Sequence, residues 1–178
     1  MAVKKEYAHL IKPAAVKDPP KGLYAEPRIW MEARDMEGFN ACFSFGFVKK
    51  PSTFHPLEGA IVHPYDEILV FEGTDLSNIL HLGAEVSVEL GEEREVHTFN
   101  EPSCVLVPKG TPHGPVTVKS LERPIVPYTI SLADALQDLA DCGPQVSISP
   151  MPVCDSLVVA YGVLGYYEPA TDPLLDEP

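Results

Sequence analysis

The chain has 178 residues, 45% of them apolar, which suits one domain with a buried core and excludes a disordered chain. Its formal net charge of −13 at pH 7 argues against nucleic acid or an anionic membrane surface as a partner, because like charges repel. The 19 prolines break helix interiors and favour a chain made mostly of strands and loops.

The first residues, up to about position 28, are rich in Lys and Pro and show no periodicity, and residues 1–38 are predicted to form an N-terminal arm. The opening MAVKKEYAHLIKP has charge but no apolar run, so a cytoplasmic protein with reduced thiols is expected. Phe39–Lys50 (FNACFSFGFVKK) alternates, with Phe39, Ala41, Phe43, Phe45 and Phe47 on one face, which predicts a strand whose aromatic face is core. PSTFHPLEGA reads as a loop and Glu67–Gly73 (EILVFEG) as a strand. Ala84–Phe99 reads as a hairpin turning at Gly91–Arg94. Ser103–Ser120 reads as strand, proline-glycine turn, strand, and Ile125–Leu132 as a further strand. Short strands at this spacing predict a sandwich or barrel over residues 39–132.

One amphipathic stretch, Leu132–Asp141, predicts a short C-terminal helix, stopped by Gly143 and Pro144. Residues 133–178 are therefore expected to hold that helix and an extension packing on the barrel or on a second subunit. The apolar run Leu157–Tyr167 (LVVAYGVLGYY) is too short and too glycine-broken to span a bilayer. An exposed run of this kind would invite association, and a homodimer is expected. Cys42, Cys104, Cys142 and Cys154 lie far apart with no CxxC pair, which argues against a thiolate zinc site. Cys104, in SCVLV, reads as a small buried hydrophobe.

The chemistry concentrates in two stretches. In IVHPYDEILVFEG, an extended chain puts His63, Tyr65 and Glu67 on one face and Asp66 on the other. On the residues alone, His63 also reads as a polar residue lining a pocket, and Glu67 as a charge at a strand start. The Ile-Leu-Val-Phe run after Glu67 argues for burial, and a buried carboxylate needs a partner. In PKGTPHGPV, a Pro-x-Gly turn makes a sharp corner that can aim His113 into a barrel. Two imidazoles and a carboxylate are a minimum set for a first-row divalent metal with open positions.

From about Phe43 to Leu132 the chain resembles the cupin superfamily. Pro108, Gly110 and His113 fall at the spacings of the second cupin motif, with Pro102 at its leading glycine and Thr117 at its closing asparagine. In the first motif, His63 takes the second histidine position, Glu67 the glutamate, and Ile61 stands where the first histidine would be. The resemblance implies an antiparallel β-barrel of the double-stranded β-helix or jelly-roll kind. It implies one divalent first-row metal ion (Fe, Mn, Zn or Ni) on His63, Glu67 and His113. His55, at the same parity as His63, is the candidate to fold back as a further ligand, with His97 and His81 as weaker alternatives. Tyr65 is the candidate for a ligand, proton donor or substrate contact. The function implied is a metal-binding cupin enzyme acting on a small organic molecule, of oxygenase, isomerase or lyase type. The alternative is a non-catalytic module that binds or senses a small molecule.

Overall fold

The computed structural model describes residues 6–133. Ten strands follow in chain order: β1 (Val16–Lys17), β2 (Arg28–Met31), β3 (Cys42–Phe45), β4 (Ser52–Phe54), β5 (Glu67–Gly73), β6 (Ala84–Leu90), β7 (Glu95–Phe99), β8 (Ser103–Val107), β9 (His113–Leu121) and β10 (Ile125–Ser131). They form a six-stranded sheet, β1-β2-β3-β10-β5-β8, and a four-stranded sheet, β4-β9-β6-β7. Among the described residues these strands pair antiparallel throughout. Helical structure among the described residues is limited to two three-residue 3-10 turns, Ala8–Leu10 and Ala33–Asp35. The helix predicted over Leu132–Asp141 lies, beyond residue 133, outside the described residues, as does Leu157–Tyr167.

The expected hairpin is β6 and β7, in register from Val86 opposite Phe99 to Leu90 opposite Glu95. β8 and β9, consecutive in sequence, belong to different sheets. The proline-glycine corner between them therefore carries the chain from one layer to the other and delivers His113 at the start of β9. The first sheet also reaches back past Phe39, since β2 pairs with β3 and Trp30 and Met31 are buried.

The core lies between the sheets. β6 and β9 contribute Val86, Val88, Val116 and Val118, and the facing sheet contributes Leu69, Phe71 and Ile125. In β10 alternate residues are buried: Ile125, Pro127, Thr129 and Ser131. Ile125 pairs with Gly73 and Ser131 with Glu67. The inner face thus runs from apolar (Phe71, Ile125) at one end of the barrel to polar (Glu67, Thr129, Ser131) at the other. Hydrophobic burial holds the apolar end together and leaves the polar end as the place for chemistry.

The aromatic stripe faces the other way from the expectation. In β3 the buried residues are Cys42 and Ser44, and Phe39 and Phe47 are 60% and 58% exposed. A period of two fixes which residues share a face, and the neighbouring strand decides which face turns inward. Here Ser131 is opposite Cys42 and Tyr128 opposite Phe45, so Phe43 and Phe45 join Tyr128 on the outer face. The Phe45 and Tyr128 rings lie 5.1 Å apart there. Cys104 also points out: it is an exposed free thiol, because the inward positions of β8 fall to Val105 and Val107.

Candidate metal centre

Four side chains meet at the polar end of the barrel. His55, His63, Glu67 and His113 are all buried, and one ligand atom from each lies within 4.8 Å of the others. Glu67 opens β5 and shares its inward face with Leu69 and Phe71. His113 opens β9, and its backbone N–H and C=O bond the C=O and N–H of Ile61 at 3.0 and 2.9 Å. Gly110 N–H donates to His63 C=O at 2.8 Å, and Lys109 N–H to the Asp66 carboxylate at 2.8 Å. The loops carrying the two motifs are therefore stitched to each other. Asp66, on the opposite parity from Glu67, serves this joint and stays out of the centre.

His55 follows β4 in the loop that sequence parity marked as able to fold back. Its backbone has φ of 51°, a left-handed conformation that non-glycine residues rarely adopt and that concentrates at functional sites. Gly114, with φ of 80°, makes room for it: a Cβ on Gly114 would stand 2.2 Å from the His55 carbonyl oxygen.

Glu67 Oε2 is the hub, 2.8 Å from His55 Nε2, 3.0 Å from His113 Nε2 and 3.9 Å from His63 Nε2. Its other oxygen accepts from Ser131 Oγ–H at 2.9 Å. Each imidazole presents Nε2 to the centre and is held by Nδ1: His55 by the Tyr24 hydroxyl at 3.1 Å, His63 by the Tyr65 hydroxyl at 3.1 Å, and His113 by the Thr111 carbonyl at 3.0 Å. Anchoring one ring nitrogen fixes the direction of the other, the arrangement that orients histidines on metals. A carbonyl only accepts, so His113 Nδ1 carries a hydrogen and Nε2 is the ring nitrogen turned to the carboxylate. His63 Nε2 is buried with no hydrogen-bond partner.

Burial pushes the His63 imidazole down to about 4, so it is neutral at pH 7 with its lone pair available. Burial by itself would push Glu67 up. The imidazoles of His55 and His113 beside it outweigh burial and hold the carboxyl well below the usual range. The donor set, its convergence and the orphaned His63 nitrogen all fit a first-row divalent metal, for which three imidazoles and a carboxylate are suitable ligands.

Tyr65 stacks on His63, ring centroids 4.7 Å apart, with its hydroxyl on the outer nitrogen of that ring. The structure thus places Tyr65 behind His63, on the side of that ring away from Glu67. His97 is 48% exposed in its side chain and pairs with Glu95 at 3.7 Å, and His81 bridges Asp75 and Glu122 at 3.1 and 3.4 Å. Neither reaches the centre.

The residues that sequence reading passed over are Tyr24, Thr129 and Ser131. Tyr24 OH also meets Thr129 Oγ1 at 2.7 Å, and burial raises its pKa, so it stays a phenol. Thr129 and Ser131 carried a signal, being the polar members of the inward set of IVPYTIS, whereas Tyr24 carried none. Tyr24→Phe removes the contact that aims His55 and is expected to lower metal affinity about 10- to 100-fold, the usual effect of losing an outer-shell partner. Calorimetric metal titration of the variant against the parent checks this, and equal affinities would show that Tyr24 does not position His55.

Two antiparallel sheets closed around one core, with three imidazoles and a carboxylate gathered inside one end, define a cupin-type fold with a centre suited to a metal ion. Among solved structures, the chain is similar to oxalate decarboxylase from Bacillus subtilis at a TM-score of 0.46 and 12% identity, over 70% of this chain and 28% of that one. It is similar to a putative ethanolamine utilization protein from Salmonella typhimurium at a TM-score of 0.38 and 14% identity, over 61% of this chain and 70% of that one. A protein from Neisseria meningitidis is similar at a TM-score of 0.37 and 17% identity, over 70% of this chain and 93% of that one. No family model matches the chain, and no curated protein matches it.

Proposed function

We propose that the protein is a metal-dependent cupin enzyme acting on a small organic molecule, with one divalent ion of Fe, Mn, Zn or Ni held by His55, His63, Glu67 and His113. The observation that carries this reading is the convergence of four buried donors, three imidazole nitrogens and the Glu67 carboxylate, within 4.8 Å of one another, with the His63 Nε2 buried and without a hydrogen-bond partner. A bound ion would supply Lewis acidity or a place for dioxygen, in keeping with oxygenase, isomerase or lyase chemistry. The chain's own part is to bind the ion, orient the ligands through Tyr24, Tyr65 and Thr111, and exclude water with a largely apolar barrel.

A second reading has one observation in its favour. All four side chains are buried, and closed sites with four protein ligands are often structural. In that case the barrel is a binding or sensor module. The two readings differ in coordination number. Absorption spectra of the cobalt-substituted protein separate a six-coordinate ion with open positions from a closed tetrahedral one. The enzyme reading requires the six- or five-coordinate spectrum and its change on adding azide.

We place the protein in the cytoplasm, in keeping with the free Cys104 thiol, and propose a homodimer. Large apolar side chains exposed together at Leu76, Ile79 and Leu80 support association. Light scattering and elemental analysis of one sample, purified without a metal-affinity column or chelator, should give the mass of two chains and one metal ion per chain. A mass of one chain at micromolar concentration refutes the dimer, and a metal content near zero refutes the centre.

A further inference from the structure

Outside the metal centre, a cavity of about 300 Å³ lies beside the start of β2 and the connection from β3 to β4. Arg28 lines it and is only 7% exposed. One guanidinium nitrogen donates to the Pro127 carbonyl at 3.0 Å, and the guanidinium carbon sits 3.7 Å over the Tyr24 ring. Nε is buried with no hydrogen-bond partner. Among the described residues no carboxylate forms an ion pair with Arg28. A buried charge without a counter-charge is costly, and proteins almost always pair it. The cavity wall continues the same sign, with Lys49 and Lys50 exposed on it and the hydroxyls of Ser52 and Thr53 beside them. Among the described residues that line it, Glu26 is the one acid. In a chain of net charge −13, three cations around one cavity form a local reversal of sign.

We propose that this cavity binds a small oxyanion, a carboxylate or a phosphate, which completes the charge of Arg28 and is held at its rim by Lys49 and Lys50. The planar guanidinium offers paired N–H donors that match either group. The site is separate from the metal centre, with the Tyr24 side chain standing between Arg28 and His55.

The test is calorimetric titration of the full chain, metal-free and metal-loaded, with inorganic phosphate, succinate and neutral succinamide at one low ionic strength. The expected result is saturable binding of an anion, no binding of succinamide, and the same affinity with or without metal. Tighter phosphate binding identifies a phosphate ligand, and tighter succinate binding a carboxylate. Arg28→Gln should weaken the anion about tenfold or more, the range for a charge-assisted hydrogen bond. Lys49→Ala with Lys50→Ala should weaken it about threefold through exposed charges. Binding that appears only with metal would place the anion on the ion and overturn the proposal, as would no anion binding at millimolar concentrations. Should Arg28→Gln fail to fold by circular dichroism, the double lysine variant decides, and an unchanged affinity there overturns the site.

Discussion

His55→Ala and His113→Ala are each expected to lower the affinity for Fe(II), Mn(II) and Zn(II) by more than about 100-fold, beyond the loss typical of an outer-shell change. The two losses have the same cause, since both Nε2 atoms lie within 3.0 Å of Glu67 Oε2. A second substitution separates a lost ligand from general damage. Ile61 is 8% exposed and pairs with His113 in an antiparallel bridge, so the two side chains leave the backbone on the same side. Ile61→His in the His55→Ala background should therefore bring a fourth ligand back and recover much of the affinity. In the parent, where His55 already fills that position, the same change should add little. Calorimetric titration of the parent and the four variants checks all of this. A His55→Ala variant that binds metal like the parent would remove His55 from the ligand set.

Gly114→Ala is expected to cost stability and metal affinity together. The backbone at Gly114 has φ of 80°, and forcing an L-residue there costs about 1–2 kcal/mol. The added methyl would also sit 2.2 Å from the His55 carbonyl oxygen and 2.6 Å from Pro56 Cδ, so the loop must move. Its movement withdraws His55 from the centre. A fall in denaturant midpoint worth about 2 kcal/mol or more, with metal binding reduced as in His55→Ala, is the predicted result. Urea titration and calorimetry measure the two effects. Metal affinity equal to the parent's would show that the close contact does not set the position of His55.

The apolar run of EILVFEG, ended by glycine, and the alternation of Val86, Val88 and Leu90 with Ser87 and Glu89 specified strands, and β5, β6 and β7 lie where those patterns put them. The same rule could not say which face of β3 turns inward, because that depends on pairing with β10, far away in sequence. At the centre, His63, Glu67 and His113 were legible from spacing within two short segments. His55 was legible only as a parity, since its approach depends on a left-handed backbone and on a glycine that is 59 positions later in the chain by their numbers, 55 and 114. Tyr24 was silent in the sequence for a similar reason: its hydroxyl partners, His55 and Thr129, are 31 and 105 positions away.

The four ligands do not have equal mechanical standing. Glu67 and His113 are the first residues of strands paired on both sides or bridged to a neighbouring loop, whereas His55 hangs on a loop bent into a left-handed turn. Pulling Glu67 away means opening a sheet. Pulling His55 away means breaking the bonds of its loop to the segment ahead of β2, from His55 N–H to the Leu23 carbonyl at 2.8 Å and from Leu57 N–H to the Gly22 carbonyl at 2.7 Å. One corner of the centre is thus held by the segment ahead of β2, which supplies the Leu23 carbonyl and the Tyr24 hydroxyl to His55, and the other three corners by the barrel itself.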